Sequence, residues 1–171
     1  MKYDAEQLAR MNRSGQRRGA VGSKPTVCTQ TILHLAEQGT IRKDTPVLDF
    51  GAGKWAQQTA ILRDEGFEDV TPYDIGANGN DVPPEPVGGW PVIMMSNVLN
   101  VQPTLRHIAE LAATTWEMAA GLGLLVCNYP QSPRYSNATA RQVTLELEAA
   151  GWERIGTYNG AWIFRARSMR P

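Results

Sequence analysis

The feature that most constrains this chain is a short apolar run that ends in two closely spaced glycines. The run is Val47-Leu48-Asp49-Phe50, the turn is Gly51-Ala52-Gly53, and helix-compatible residues begin directly afterwards. Glycine adopts backbone angles that are closed to other residues, and it lets a ligand approach the main chain. A helix that starts at such a turn directs unpaired backbone N–H groups at the ligand. The segment therefore predicts a buried strand that passes through a ligand-binding turn into a helix.

An acidic residue stands at the corresponding place after a second strand-like run. The run is Val70-Thr71-Pro72-Tyr73, and Asp74 follows it, 23 residues beyond Gly51. An acid near that offset lies where a bound ribose presents its hydroxyl groups. Two glycines alone also fit a simple strand–helix turn, whereas the glycines and the acid together predict a nucleoside-binding site.

Composition excludes several other classes of protein. With 171 residues, 42% of them hydrophobic, the chain can bury the core of one globular domain. No run approaches the roughly 20 apolar residues that cross a bilayer, and the start lacks a signal peptide, so we expect a cytoplasmic protein with no membrane partner. Cys28 and Cys127 are far apart and no Cys/His cluster has ligand spacing. This pattern predicts reduced core thiols and no metal site.

The net charge of zero conceals an uneven distribution along the chain. Residues 1–43 hold eight Lys/Arg against three Asp/Glu, residues 44–100 hold two against nine, and residues 101–171 hold seven against five. The first segment therefore carries +5, the second −7 and the third +2. The basic segment fits either a solvated terminal segment or a surface that attracts a phosphate-bearing partner.

The predicted elements alternate between helices and strands. Helices are predicted at 4–12, 26–38, 54–65, 104–119 and 138–150, and strands at 46–50, 68–73, 90–95, 122–127, 152–158 and 161–167. The basic residues 13–25 contain three glycines and a proline, which predicts a mobile lead-in. Residues 75–89 are also rich in glycine and proline, where a doubly wound fold usually has its third strand. We expect at most a vestigial strand there.

The last two predicted strands flank Asn159-Gly160, which is a strong hairpin signal. A dinucleotide-binding Rossmann domain would instead end on a sixth parallel strand. The sequence therefore predicts an α/β fold, Rossmann-like and doubly wound, with a mostly parallel sheet that ends in an antiparallel hairpin and a reduced third-strand region.

Four motifs in this order resemble those of class I S-adenosylmethionine-dependent methyltransferases, over residues 44–167. The first strand ends in an acid before Gly-x-Gly, the second ends in Asp74, the strand at 90–95 ends in Ser96-Asn97, and a hairpin closes the chain. The resemblance implies S-adenosylmethionine as the cofactor and methyl transfer as the reaction. The segment Asn97-Val98-Leu99-Asn100-Val101 also resembles small bacterial and phage methyltransferases.

The resemblance implies roles for particular residues. Asp49 would organise the methionine ammonium indirectly, Asp74 would bind the ribose, and Asn97 or its carbonyl would lie near the sulfonium; the alternatives are a structural strand-end acid, a solvated loop acid and a helix cap. The predicted cofactor contacts are Asp49, Gly51, Ala52, Gly53, Asp74, Ile75, Asp81, Asn97 and Val98. Asp81 is the best match for an adenine contact in the shortened 75–89 region. No catalytic acid or base is predicted.

Residues 1–43 are interpreted as a basic lid segment, and residues 44–171 as the methyltransferase-like domain. Because the chain has no inserted substrate domain, the lid segment and the loops after the strands at 90–95 and 122–127 would select the acceptor. We expect a nucleic acid somewhat ahead of a small metabolite. Two alternatives stay open: a binding module of the same shape without catalysis, and an enzyme that consumes the sulfonium in another reaction such as cleavage.

Three further features are assigned structural roles. Asn128-Tyr129-Pro130 resembles the Asn-Pro-Pro-Tyr signature of amino-group methyltransferases, but it follows the wrong strand, so we expect a turn. His34 and His107 are expected to be ordinary helix residues. The five tryptophans are expected to pack in the core and at its edges.

Overall fold

A single six-stranded sheet organises the protein. The computed structural model describes residues 3–10, 24–74, 86–130 and 135–168. In chain order its elements are α1 (residues 5–10), α2 (Val27–Glu37), β1 (Val47–Phe50), α3 (Gln57–Asp64), β2 (Val70–Tyr73), β3 (Trp90–Met95), α4 (Leu105–Met118), β4 (Ala119–Cys127), α5 (Ala140–Ala149), β5 (Trp152–Tyr158) and β6 (Ala161–Ala166). A 3₁₀ turn at Leu99–Val101 lies between β3 and α4.

The strand order across the sheet is β2-β1-β3-β4-β6-β5. The first four strands in that order are parallel, whereas β6 is antiparallel to both β4 and β5. The predicted fold class, a mostly parallel sheet that ends in an antiparallel hairpin, is confirmed. Residues 86–89 form a turn before β3; the rest of the predicted reduced region, residues 75–85, lies outside the described residues.

Alternation along the strands gives the sheet two buried faces. Leu48, Phe50, Ile93 and Met95 belong to one apolar cluster, which α4 and α5 complete. Their sequence neighbours on the same strands, such as Val47 and the residues at 92 and 94, belong to a second cluster that α2 and α3 complete. Successive strand residues point to opposite faces, so continuous apolar runs are what a sheet covered on both sides requires.

Three of the long helices begin at a threonine whose side chain accepts a hydrogen bond from the first turn. These residues are Thr26 for α2, Thr104 for α4 and Thr139 for α5. The last of these helices, predicted to start at residue 138, begins at Ala140, because Thr139 and Gln142 form a reciprocal capping box there.

Two predicted boundaries are also wrong. The helix expected from Lys54 begins at Gln57, because Ala56 has a left-handed backbone (φ 42°) that interrupts the helix before that point. The buried residues of α3 are Thr59 and Leu62. The strand expected from Leu122 begins at Ala119, where β4 pairs with Trp90 across a bulge.

Candidate functional site

The carboxyl ends of β1, β2, β3 and β4 meet at one edge of the sheet, since these four strands are parallel. A polar residue lies at or just beyond the end of each strand: Asp49 in β1, Asp74 after β2, Asn97 after β3 and Asn128 after β4. In open α/β sheets this edge is where ligands bind. These residues define the candidate site.

The glycine turn after β1 is fixed against the end of β2. The backbone N–H groups of Gly51 and Ala52 both donate to the carbonyl of Tyr73, at 2.7 and 3.0 Å. The Gly53 N–H donates to Asp74 Oδ2 at 2.6 Å. No described residue hydrogen-bonds to the other carboxylate oxygen of Asp74 at this edge. One carboxylate oxygen of Asp74 therefore orients the turn.

The segment after β3 packs directly onto the glycine turn. A Cβ built on Gly51 would lie 2.4 Å from Val98 Cγ2, and Gly51 has φ +83°. Both the close approach and the left-handed backbone require glycine at this position. Gly53 also has a left-handed backbone (φ +70°), but nothing lies within 4 Å of its built Cβ. The two glycines thus have different roles: one admits Val98, and the other leaves open space.

Asp49 is buried beneath this turn, with 1% of its surface exposed. Thr59 Oγ1 donates to its Oδ2 at 2.7 Å. Burial raises the pKa of Asp49 to about 6, hydrogen bonds from the Thr59 side chain and backbone oppose that shift, and the nearby Asp74 adds to it. Burial also raises the pKa of Asp74, and the Gly53 N–H opposes the shift. This side of the edge therefore holds two acids that interact with each other.

A reciprocal amide pair links the ends of β3 and β4. The backbone N–H of Asn97 donates to Asn128 Oδ1 at 2.7 Å, and Asn128 Nδ2 donates to Asn97 Oδ1 at 3.0 Å. The first bond fixes the orientation of both amides, because a backbone N–H can face only an acceptor. Cys28 Sγ donates to the same Asn128 oxygen at 3.5 Å. Asn97 itself has a left-handed backbone, with φ 59°.

The start of α2 adds hydroxyl groups to this side of the edge. Ser96 Oγ donates to Thr26 Oγ1 at 2.8 Å, and Thr29 Oγ1 donates to Gln58 Oε1 at 2.6 Å. Gln58 Oε1 also accepts from the Thr26 backbone N–H at 2.9 Å. These contacts join α2, α3 and the end of β3 through neutral groups. Burial raises the pKa of the neighbouring Cys28 thiol to about 12, so it stays protonated.

The N-terminal residues pack beside the same edge. The ring of Tyr3 stacks on His107 at a centroid distance of 5.1 Å, and its hydroxyl donates to Gln102 Oε1 at 2.7 Å. A cavity of about 240 Å³ lies between α1 and the segment that follows β3. Its lining includes Glu6, Arg10, Val101, Pro103 and Tyr135.

The structure brings most of the predicted site residues together. Asp49, Asp74 and Asn97 lie at strand ends, with Gly51, Ala52 and Gly53 in the turn and Val98 against it. Ile75, Asp81 and the basic residues 13–23 lie outside the described residues. His34 and His107 are on α2 and α4, as predicted.

Four residues that contact this edge of the sheet are not predicted from the sequence: Tyr3, Thr59, Gln102 and Asn128. The sequence predicts only a turn at Asn128, but its side chain is the partner of Asn97. Its position directly after a buried strand could have revealed it. Trp55 departs from the expected core packing, since 65% of it is exposed, whereas Trp152 is fully buried.

The described part of the chain was also searched for metal-binding clusters and for membrane-spanning helices. No group of three or more His, Cys, Asp and Glu side chains there is arranged to hold a metal ion. Among the same residues, no helix combines the length and apolar character that crossing a bilayer requires.

Comparison with known proteins identifies the fold. A TehB-like S-adenosylmethionine-dependent methyltransferase from Corynebacterium glutamicum superposes with a TM-score of 0.61 at 12% identity, covering 94% of this chain and 100% of that one. The N-methyltransferase NodS from Bradyrhizobium japonicum, solved with S-adenosylhomocysteine, gives 0.61 at 13% identity and the same coverage. Magnesium protoporphyrin IX methyltransferase from Synechocystis, solved with S-adenosylmethionine, gives 0.56 at 14%, covering 98% and 86%.

The chain therefore has the fold of class I S-adenosylmethionine-dependent methyltransferases. No protein-family model matches the sequence, and no curated protein matches it. The similarity lies in the three-dimensional structure.

Proposed function

We propose that this protein binds S-adenosylmethionine at the carboxyl edge of its sheet and transfers the methyl group to a nucleophile. The observation that carries the proposal is the glycine turn, which Asp74 holds through the Gly53 N–H at the carboxyl ends of the parallel strands β1 and β2. Known structures of this fold that contain S-adenosylmethionine or S-adenosylhomocysteine support the choice of ligand.

Each site residue has a role in this proposal. Asp74 binds the ribose hydroxyls with its second oxygen, and the turn from Gly51 to Gly53 admits the amino-acid end of the cofactor against bare backbone. Asp49 acts from beneath the turn on the methionine ammonium, and Asn97 faces the sulfonium. Ile75, Asp81 and Val98 complete the adenosine side.

Methyl transfer requires the protein mainly to position the two reactants. When bound, S-adenosylmethionine would supply an activated methyl group for the lone pair of the acceptor and would leave as S-adenosylhomocysteine. Because the donor is already activated, holding the two reactants in line supplies most of the acceleration. The neutral amides and hydroxyls beside Asn97 suit this task, since they orient an acceptor without exchanging protons with it.

Calorimetry with S-adenosylmethionine, S-adenosylhomocysteine and NAD tests the cofactor. We expect both sulfur compounds to bind and NAD not to bind. Asp74→Ala should weaken binding by about 1–3 kcal/mol, because a ribose hydroxyl loses a charged partner. Asp69→Ala is the matched control, since Asp69 is an exposed acid just before the other end of the same strand. Binding of NAD alone, or an unchanged affinity in Asp74→Ala, would contradict the proposal.

We propose a nucleic acid as the acceptor, ahead of a small molecule. The support is the uneven charge along the sequence: residues 1–43 carry +5, whereas residues 44–100, which hold the proposed cofactor contacts, carry −7. Phosphate contacts release counterions, so association with DNA or RNA should weaken steeply as salt rises. Arg17→Ala with Arg18→Ala should reduce that salt slope and leave cofactor affinity nearly unchanged. Arg141→Ala with Arg167→Ala replaces two exposed arginines elsewhere and should leave the slope as it is.

A small-molecule acceptor is the second candidate, and the cavity beside α1 favours it. A volume of about 240 Å³ is somewhat smaller than ordinary ligand sites. A methyl-transfer screen with radiolabelled cofactor across DNA, RNA, protein and a metabolite extract separates the two classes. Cofactor binding without transfer to any of them would favour a binding module, and turnover without an acceptor would favour cleavage.

A further inference from the structure

The N-terminal residues contact the glycine turn through a continuous chain of side chains. Tyr3 donates its hydroxyl to Gln102 Oε1 at 2.7 Å, and Gln102 Nε2 donates to the Val98 carbonyl at 2.9 Å. The Val98 side chain lies against Gly51, where a Cβ would meet it at 2.4 Å. Two hydrogen bonds and one packing contact thus connect Tyr3 to the Gly51–Gly53 turn, where the cofactor is predicted to bind.

Gln102, in the middle of this series of contacts, fixes which group donates and which accepts in each hydrogen bond. Gln102 is buried, with 1% of its surface exposed. Its Nε2 faces a backbone carbonyl, so its Oε1 must face Tyr3, and the tyrosine must be the donor. Burial is the largest cause that raises the pKa of Tyr3 above its ordinary value, with smaller contributions from Glu110 and Tyr73, so the phenol keeps its proton. Undocking Tyr3 would leave the buried Gln102 oxygen without its donor, which is costly.

The residues that follow Tyr3 are helical. The first turn of this helix, α1, is capped by Asp4, and the Leu8 N–H donates to the Asp4 carbonyl. Most of the stability of a helix in a folded protein comes from its packing against the rest of the molecule. Protection of its amides from exchange therefore reports whether the N-terminal residues are docked.

We propose that Tyr3 and Gln102 are positioning residues that couple docking of residues 3–10 to binding of the methyl donor. This inference rests on the proposed function. A ligand seated on the Gly51–Gly53 turn holds Val98 in place, Val98 holds Gln102, and Gln102 presents its oxygen to Tyr3. Coupling of this kind is reciprocal: whatever factor docking contributes to cofactor affinity, the cofactor contributes to docking. One wall of the cavity beside α1 is then completed when the donor is bound.

Hydrogen exchange and calorimetry on the full chain, with S-adenosylhomocysteine as the probe, test the coupling. In the wild type we expect the probe to slow exchange of the α1 amides several-fold. Tyr3→Phe should weaken binding of the probe about fivefold, the lower end of usual couplings between sites, and should abolish the slowing. Gln102→Met should have the same effect on both. In the double variant the effects should not add, since both substitutions break one contact.

Tyr158→Phe is the matched control. Tyr158 also stacks on a histidine, His34, at 3.9 Å, but it belongs to the hairpin at the opposite side of the sheet. This variant should keep both the affinity and the slowing. If the probe binds the wild type and α1 exchange does not change, or if the Tyr3→Phe and Gln102→Met effects add, the inference is overturned while the proposed function stands. If the probe does not bind the wild type, the proposed function fails first and the inference fails with it.

Discussion

The two sides of the site edge are built from different chemistry. The β1–β2 side holds the acids Asp49 and Asp74, and their partners are close in the chain: Thr59 is 10 residues from Asp49, and Gly53 is 21 from Asp74. The β3–β4 side holds neutral amides, hydroxyls and a thiol. Its partners are far apart, with 31 residues between Asn97 and Asn128 and 100 between Cys28 and Asn128.

This difference suggests that, in the proposed function, the β1–β2 side binds the cofactor and the β3–β4 side orients the acceptor. In that function Asp49 acts on the methionine ammonium and Asp74 binds the ribose hydroxyls. Neutral groups near the acceptor orient it without competing for its lone pair or its proton. In the proposed function the cofactor side is thus built within one segment of the chain, and the proposed acceptor side is assembled from distant segments.

The largest effect is expected at Gly51. Gly51→Ala forces a side chain into a left-handed backbone and against Val98 Cγ2. Strain and overpacking together should cost about 2–5 kcal/mol of cofactor affinity or stability. Gly53→Ala meets no neighbour and should cost only the backbone strain, about 1–2 kcal/mol. Calorimetry and urea unfolding measure both, and restoration by Val98→Ala in the Gly51→Ala background would assign the excess to the contact.

A slightly smaller effect concerns the pH dependence of stability through Asp49. Burial raises its folded pKa from the ordinary 3.8 to about 6, so the folded protein binds the proton more tightly than the unfolded chain. Unfolding free energy should therefore fall as pH rises from 4 to 6, by on the order of 3 kcal/mol from this group. Asp49→Asn should remove that contribution. Urea unfolding from pH 4 to pH 8 measures it; parallel curves for the two proteins would refute the assignment.

The smallest loss of stability and of cofactor affinity is expected at the β3–β4 side of the site, where the groups are neutral. Asn128→Ala leaves the Asn97 backbone N–H and side-chain oxygen without their partner, which should cost about 1–2 kcal/mol of unfolding free energy. Cofactor affinity should change less than in Gly51→Ala, because Asn128 does not touch the glycine turn. Asn128→Asp keeps the acceptor for the backbone N–H and should lose less stability. A larger loss of affinity here than at Gly51 would remove the distinction between the two sides.

The sequence predicts the β1–β2 side of the site well because local backbone geometry encodes it. Gly51 and Gly53 are required where the chain turns, and Asp74 follows a recognisable strand. The Asn97–Asn128 pair could not be predicted in the same way, because the strand order decides which strand ends become neighbours. Periodicity gave the strand at 90–95 but did not indicate that the residues after 127 lie beside it.

Local backbone strain explains why the start of α3 is predicted too early. Ala56 takes a left-handed backbone that its residue type does not favour, and helix propensity does not signal this conformation.

The contact between Tyr3 and Gln102 joins residues that lie 99 positions apart in the sequence. Nothing near either residue signals their contact, and only the assembled edge brings them together.

The position of β6 has a consequence for how the chain is made. This strand lies between β4 and β5, and it pairs with Cys127 through Trp162. During synthesis β4 emerges first, and one of its edges stays unpaired until residues 161–166 have left the ribosome. An unpaired strand edge is a template for association with other chains. The nascent protein is therefore exposed to aggregation in that interval, and early termination before β6 would make the exposure permanent.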